Sequence, residues 1–210
     1  MNDTPLLEGF DCAEPLSGPI IMKAAAHKVA FVGRYLWKGG KGLLRAEALN
    51  LAHEEIGILS FYEGMGTEYA TFTVEQAQKD AAAAIGFAKI VGQTANTPIT
   101  FAVDFDANAA QINSGIAQYF GAIASVLRGQ FRVGVYGSGN VCNAMLGKNF
   151  ADFAVLAGAG WGGSASFTKW NVHQHPTIMA NSRSDTLRLG ISYDPLEAKP
   201  GDSGIWKATP

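Results

Sequence analysis

Eight short apolar segments, separated by stretches with helical periodicity, are the feature of this chain that most restricts its fold. Several of them are apolar over nearly their whole length, which is typical of parallel strands covered on both faces of a sheet. We predict strands at Leu7–Cys12, Val29–Tyr35, Ile58–Tyr62, Ile99–Phe105, Phe131–Tyr136, Phe153–Gly158, Trp170–Gln174 and Leu189–Tyr193.

Helical patterns between these strands are clearest in the first two-thirds of the chain. Thr73 opens a capping-box pattern that continues to Gln76, and Asn108 is a candidate N-cap for a later helix. Little room for a full helix is left after Gly158 or after Gln174. The alternation therefore predicts an α/β fold, a compact (β/α)₈ TIM-type barrel with reduced helices in its last units.

The chain has no linker, repeat or low-complexity segment, so we predict a single barrel domain over residues 1–210 with its core at about 8–198. An open, doubly wound sheet is the alternative architecture. It is disfavoured because no Gly-x-Gly-x-x-Gly follows the first strand and no P-loop occurs in the sequence.

Composition narrows the class of function. Charged residues make up only 16% of the 210, and 16 basic residues stand against 18 acidic ones without a basic stripe. This excludes a disordered chain and argues against a nucleic-acid partner. Cys12 and Cys142 have no Cys-x-x-Cys or His-rich neighbourhood, so we predict no disulfide framework, no metal and no cofactor. No apolar run is long enough to span a membrane, and the first residues lack a signal-peptide pattern.

Carboxylates follow several of the predicted strands. In a barrel of this type the carboxyl ends of the strands carry the chemistry, and a charge beside a buried strand is costly unless it is paired or used. We therefore predict one catalytic rim formed by five acids, which are Asp11, Glu63, Asp104, Asp106 and Asp194.

Asp104 and Asp106 are two positions apart on one predicted strand, so both side chains should share a face, with Cα atoms about 6.5–7 Å apart. Such a pair should hold one carboxyl protonated as a general acid beside an ionised partner. Other polar and aromatic residues at strand ends suit a sugar ligand. The substrate-binding candidates are Arg34, Tyr35, Tyr62, Tyr136, Trp161, His173 and Gln174.

Several short motifs in fixed order resemble a known family. They are Gly9–Asp11, Phe31–Leu36, Leu43–Glu63, Phe101–Asp106, Val133–Gly137, Gln174 and Tyr193–Asp194, and they span about residues 8–198. Together they resemble the glycoside-hydrolase-like barrel family designated domain of unknown function 1906, a relative of the family 25 lysozymes.

This resemblance implies a barrel that acts on peptidoglycan. By similarity to family 25 lysozymes, the reaction would be hydrolysis of the β-1,4 bond between N-acetylmuramic acid and N-acetylglucosamine. Those lysozymes carry Asp-x-Glu on the fourth strand, where this chain has Asp104-Phe105-Asp106, one methylene shorter. Building on this resemblance, we predict that Asp106 or Glu63 protonates the leaving oxygen and that Asp104 orients the substrate N-acetyl group or acts as base. Asp11 and Asp194 would stabilise the positive charge that develops on the sugar ring.

Two other functions stay open. A non-catalytic barrel that binds peptidoglycan or a related N-acetylated glycan is favoured by the Asp at position 106. A metal-dependent polysaccharide deacetylase would use Asp11, Asp104, Asp106, His173 and His175. Against it, two histidines two positions apart on a strand lie at about 7 Å, which is far for shared zinc ligation.

The place of action is expected to be the cell wall. The sequence shows no signal peptide, so we expect synthesis in the cytoplasm followed by lysis, as for a phage endolysin, or by dedicated export as a cell-wall effector.

Overall fold

The structure, a computed structural model, describes residues 5–64 and 66–209. Its eight strands close into one barrel in chain order, which confirms the predicted α/β barrel and excludes the open sheet. The strands are β1 Leu7–Asp11, β2 Phe31–Tyr35, β3 Gly57–Tyr62, β4 Pro98–Ala102, β5 Arg132–Gly137, β6 Phe153–Leu156, β7 Val172–Gln174 and β8 Asp194–Ala198.

The helices lie outside the barrel and become sparse toward the C-terminus. They are α1 Gly18–Ala26, α2 Arg45–His53, α3 Val74–Val91, α4, which joins Ala109–Gln111, a π-helical Ile112–Ile116 and Ala117–Leu127, and α5 Gly139–Gly147. Short 3₁₀ turns occur at Tyr69–Thr71 and Ser164–Ser166. Within the described residues no α-helix follows β6 or β7, so the predicted reduction of the last helices is confirmed.

The predicted helix starts are also found. The Thr73 side chain accepts a hydrogen bond from the Gln76 amide at 3.1 Å, and Asn108 forms a capping box with Gln111. These caps satisfy amide groups that have no partner within the first helical turn.

The predicted position of the eighth strand is wrong. The structure places β8 at Asp194–Ala198 and not at Leu189–Tyr193. Arg188 and Gly190 have left-handed backbone angles, with φ of 48° and 80°, and these interrupt an extended strand. The apolar side chains of this segment are instead buried on the outer wall of the barrel, where the Tyr193 ring lies 5.4 Å from that of Phe10.

The direction of β8 also differs from the predicted set of parallel βα units. It runs antiparallel to both β1 and β7, whereas the other neighbouring pairs are parallel. The beginning of β8 therefore lies at the same rim as the carboxyl ends of β1 to β7. Asp194, its first residue, stands opposite Asp11, the last residue of β1.

The core has two parts. One cluster fills the barrel and includes Phe31, Leu59, Phe153 and Leu196, and the larger one lies between barrel and helices.

The end of the barrel opposite the rim is covered by the C-terminal segment. There Trp206 exchanges backbone hydrogen bonds with Ile58, in a segment beyond the predicted core of about 8–198. Among the described residues, no helix is both long and apolar enough to cross a membrane.

Candidate active site

Four carboxylates meet at the rim where β1 to β7 end and β8 begins. Asp11, Glu63, Asp104 and Asp194 line one cavity of about 100 Å³, called the acidic cavity below. They come from four different strands or the loops beside them, and the structure brings their side chains together. The remaining lining residues are Tyr35, Phe61, Ala102, Tyr136 and Gln174.

Asp106, the fifth predicted acid, lies outside the acidic cavity. Because β4 ends at Ala102 and not at Phe105, the chain after it no longer alternates between two faces. Asp104 turns into the cavity, and its amide donates to the Gly66 carbonyl at 2.9 Å. Asp106 is exposed and accepts from the Gly162 amide at 3.0 Å. The predicted Asp104–Asp106 carboxyl pair is therefore wrong.

Gln174 joins two of the acids across the cavity. Its Nε2 donates to Asp11 Oδ2 at 3.0 Å and to Asp194 Oδ2 at 3.1 Å. Its Oε1 accepts from the Tyr136 hydroxyl at 2.8 Å and from the Gly158 amide at 3.3 Å. The Gln174 amide is thus fixed in place and holds Asp11 and Asp194 toward the same side.

Burial and mutual repulsion alter the proton affinity of these acids. Asp11 is only 3% exposed. Burial, then the charge of Asp194, then that of Glu63 raise the pKa of Asp11 to about 8, against the opposing hydrogen bond from Gln174. Asp11 therefore holds a proton at neutral pH. Burial also raises the pKa of Asp194, and burial followed by the Glu63 charge raises that of Asp104.

Glu63 has a cationic partner that the sequence analysis missed. Lys41 Nζ lies 3.2 Å from Glu63 Oε2 and the same distance from the Glu63 carbonyl oxygen. It also lies 4.7 Å from the centre of the Tyr35 ring. The available signal was a lysine among Gly39, Gly40 and Gly42, in the loop that leaves β2 at the rim. Lys41 makes Glu63 an ion-paired member of the cavity.

A groove leads away from the acidic cavity. It has a volume of about 340 Å³, shares Asp104, Tyr136, Gln174 and Asp194 with the cavity, and continues past Trp161. We call it the side groove. Tyr35, Tyr136, Gln174 and Trp161 therefore lie at the rim, where they were predicted as substrate-binding residues.

Three other predicted substrate-binding residues, Arg34, Tyr62 and His173, lie outside the acidic cavity and the side groove. Strand alternation explains this, because their neighbours Tyr35, Phe61 and Gln174 line the cavity. In their own contacts, Arg34 Nε donates to Glu47 at 2.7 Å, Tyr62 donates to Asp80 at 3.1 Å, and His173 Nδ1 lies 3.1 Å from Glu197. The prediction that these three side chains contact the substrate is therefore corrected: each makes contacts within the protein instead.

The residues of the deacetylase alternative are not gathered in one place. Asp11 and Asp104 line the acidic cavity, whereas Asp106 is exposed and bonded to Gly162. His173 and His175 lie beside Glu197 instead.

Comparison with known proteins identifies the kind of domain. The model of the family described as "Rv2525c-like, glycoside hydrolase-like domain" matches residues 23–188. The uncharacterized protein FadG of Bacillus subtilis (strain 168) is 29% identical over 182 residues, which cover 80% of this chain and 31% of FadG. The chain therefore spans about a third of the length of that relative.

Solved structures share the fold. The Mycobacterium tuberculosis Tat-secreted protein Rv2525c, crystallised with L-tartrate, superposes with a TM-score of 0.80 at 18% identity, over 96% of this chain and 100% of that one. A family 25 glycosyl hydrolase from Bacillus anthracis gives 0.54 at 11% identity, over 96% and 91%. The catalytic domain of endolysin ply40 from Listeria monocytogenes bacteriophage P40 gives 0.57 at 11%, over 95% and 96%.

Proposed function

The chain belongs to the Rv2525c-like, glycoside hydrolase-like domain family, and on that premise we propose that it is a peptidoglycan hydrolase that cleaves the β-1,4 glycan backbone, as lysozymes do. The observation that carries this proposal is the acidic cavity, where four carboxylates from different strands face one another beside aromatic rings. Glycosidases need a protonated carboxyl and an ionised carboxylate flanking the bond that breaks. Barrel likeness to a family 25 hydrolase and an endolysin supports the same substrate class.

We assign the general acid to Asp104. It lines both the acidic cavity and the side groove, so it stands where a glycan would pass from one to the other. Burial and the neighbouring Glu63 charge raise the pKa of Asp104, which favours the protonated form that donates to a leaving oxygen. Asp106 cannot serve from its observed position, because its carboxylate holds the Gly162 amide outside the cavity.

Glu63 is the ionised partner in this scheme. Its ion pair with Lys41 fixes the carboxylate at the cavity, where it can stabilise the positive charge that develops on the sugar ring. Asp11 is only 3% exposed and accepts a hydrogen bond from Gln174, which also holds Asp194, so its role is to position these two residues and not to donate a proton to the substrate. Tyr35, Tyr136 and Trp161 supply ring faces for sugar contacts.

The experiment is digestion of purified peptidoglycan followed by mass spectrometry of the released muropeptides, with wild type, Asp104→Asn, Glu63→Gln and Asp106→Asn. We expect Asp104→Asn to lower the rate by about 10²- to 10⁴-fold, the usual contribution of a general acid. Asp106→Asn is the matched control from the same loop and should keep most of the activity. Equal activity of Asp104→Asn and wild type, or loss only in Asp106→Asn, would overturn this assignment.

A glycan-binding barrel without catalysis is the second candidate. It is favoured by the outward turn of Asp106, at the position where the lysozymes resembled by the sequence carry Glu. Co-sedimentation with cell walls, together with an assay for new reducing ends, separates the two functions. Binding that requires Trp161 and Tyr136 with no reducing ends released would support the binding module and end the hydrolase proposal.

The proposed substrate places the site of action at the cell wall. Rv2525c is a Tat-secreted protein and ply40 is a phage endolysin, so export and an endolysin route are the two ways proposed for this chain to reach the wall. For this chain, immunodetection in the wall fraction of intact producing cells would support export. Its appearance there only after lysis would support the endolysin route.

A further inference from the structure

The outer wall of the barrel at β7 and β8 carries a second cluster of chemically active side chains. His173, His175 and Glu197 form a trio whose nitrogen and carboxylate atoms all lie within 4.8 Å of one another. In residues 5–64 and 66–209, this is the one group of His, Cys, Asp and Glu that meets this distance for three members. We call it the outer-wall trio, and none of its members lines the acidic cavity.

Strand pairing brings the outer-wall trio together. His173 on β7 stands opposite Glu197 on the antiparallel β8, and both side chains project away from the barrel interior. β7 ends at Gln174, and the His175 amide then donates to the Pro195 carbonyl at 2.8 Å, which keeps His175 beside β8. The two imidazole centres are 4.6 Å apart, closer than the separation of about 7 Å expected for residues on a regular strand.

The distances match the ligand sphere of a small divalent transition metal. His173 Nδ1 lies 3.1 Å and His175 Nε2 lies 3.4 Å from the same oxygen, Glu197 Oε1. A tetrahedral zinc ion with ligands at about 2.0–2.1 Å separates neighbouring ligand atoms by about 3.3 Å. The two nitrogen-to-oxygen distances therefore match this separation, and the two imidazole nitrogens lie within 4.8 Å of each other.

The outer-wall trio is accessible to solvent and lies in negatively charged surroundings. The three side chains are between 27% and 41% exposed, because no helix covers β7 and β8 in the described part of the chain. Glu8 of β1 stands opposite Glu197 on the other side of β8 and adds a second carboxylate. Lys199 points elsewhere, since its ammonium donates to the Thr168 carbonyl and lies over Trp170 at 4.1 Å.

A groove runs beside these residues. It has a volume of about 250 Å³ and is lined by Glu8, His27, His175 and Glu197 among other residues. Three protein ligands leave one position of a tetrahedral ion open for water or for another donor. The Trp170 ring packs against His173 at a tilt of 37° with ring centres 5.6 Å apart, which restrains the orientation of that imidazole.

We propose that His173, His175 and Glu197 form a binding site for one divalent transition-metal ion of the zinc type. Two imidazole nitrogens and one carboxylate are ligands that suit zinc, with copper and nickel as chemical alternatives, and are a poor set for magnesium or calcium. An ion held there would tie β7 to β8 at the part of the barrel wall that lacks helices. The three residues lie outside the acidic cavity, and His175 also lines the side groove.

The test is calorimetric titration of zinc into the full chain after treatment with chelator and desalting. We expect one zinc per chain for wild type. Glu197→Gln and His175→Gln, which keep hydrogen-bonding groups, should weaken binding by about tenfold or more. His53→Gln, on an exposed helix end, and His27→Gln, in the groove but outside the outer-wall trio, are the matched controls and should bind as wild type does.

A second measurement uses wild type alone and does not depend on how the variants fold. Cobalt in place of zinc should give the visible absorption of a low-coordinate site with nitrogen ligands, and zinc should raise the melting temperature. Absence of zinc binding in wild type would overturn the proposal. Undiminished binding in both Glu197→Gln and His175→Gln, or loss of binding in His27→Gln, would overturn the assignment of ligands.

Discussion

Asp11 is buried directly opposite a second carboxylate, Asp194, at the junction of β1 and β8. Its folded-state pKa of about 8 lies far above the ordinary value of 3.8. Between these two values the folded protein keeps a proton that the unfolded chain releases. The free energy of unfolding must therefore fall as pH rises through this window, by up to about 1.4 kcal/mol per pH unit from this group.

We expect Asp11→Asn to remove this dependence, because an amide has no proton to lose. The variant should match wild type near pH 4 and become increasingly more stable than wild type toward pH 8. Urea unfolding of both proteins at several pH values measures the difference. A stability difference that stays constant over this range would show that Asp11 is ionised in the folded protein.

Arg34 and Tyr62 show why residues at strand ends could not all be assigned from the sequence. Both lie at the predicted rim, yet Arg34 is fully buried against Glu47 and Tyr62 donates to Asp80. Near the end of a strand, one position decides whether a side chain enters the barrel or the helix layer. The adjacent residues Tyr35 and Phe61 occupy the cavity instead.

At the scale of the strand, Gly33 of β2 leaves room for the Asp11 side chain of β1. A Cβ atom on Gly33 would lie 2.5 Å from Asp11 Cβ and 2.7 Å from the Phe61 ring. Gly33 is paired with Asp11 in the β1–β2 register. The absence of a side chain at position 33 is therefore what allows Asp11 to sit at the wall of the cavity.

Gly33→Ala should destabilise the protein by about 1–3 kcal/mol through overpacking and should displace Asp11. Gly86→Ala is the matched control, since Gly86 lies in α3 with open space around its Cα. There an alanine favours the helix and should stabilise the fold by up to about 1 kcal/mol. Thermal unfolding gives both values, and a stabilised Gly33→Ala variant would contradict the packing argument.

The eighth strand is the element whose position the sequence pattern predicted wrongly. Leu189–Tyr193 is the more apolar segment, whereas the true β8 contains Pro195 between two acids, Asp194 and Glu197. A proline and charged residues argue against a strand with partners on both sides. Only the closure of the barrel, which pairs Asp194–Ala198 with β1 and β7, outweighs that local preference.

At the scale of the whole molecule, the C-terminal segment completes the barrel. Trp206 is 3% exposed, and its indole nitrogen donates to the Ser60 hydroxyl at 2.9 Å. Ile205 packs against the cluster inside the barrel. Residues far apart in the chain thus seal the end opposite the acidic cavity.

Trp206→Ala should cost about 3–5 kcal/mol of stability, because it removes a large buried ring and leaves Ser60 without this donor. Lys207→Ala, at the next position, removes only an exposed ion pair with Glu55 and should change stability by about 1 kcal/mol or less. Chemical denaturation compares the two variants. A Trp206→Ala variant as stable as Lys207→Ala would show that the segment does not support the barrel.

The sequence by itself determined the alternation of strands and helices, the loss of the last helices and the three acids Asp11, Glu63 and Asp104 at one rim. These follow from local periodicity and from the rule that parallel strands end on the same side. The tertiary structure decided the direction of β8 and with it the place of Asp194 at this rim. It also decided the outward turn of Asp106, the Lys41–Glu63 pair and the approach of His175 to Glu197. Each of these features depends on contacts between residues that are far apart in the chain. The local sequence pattern contains no information about such contacts.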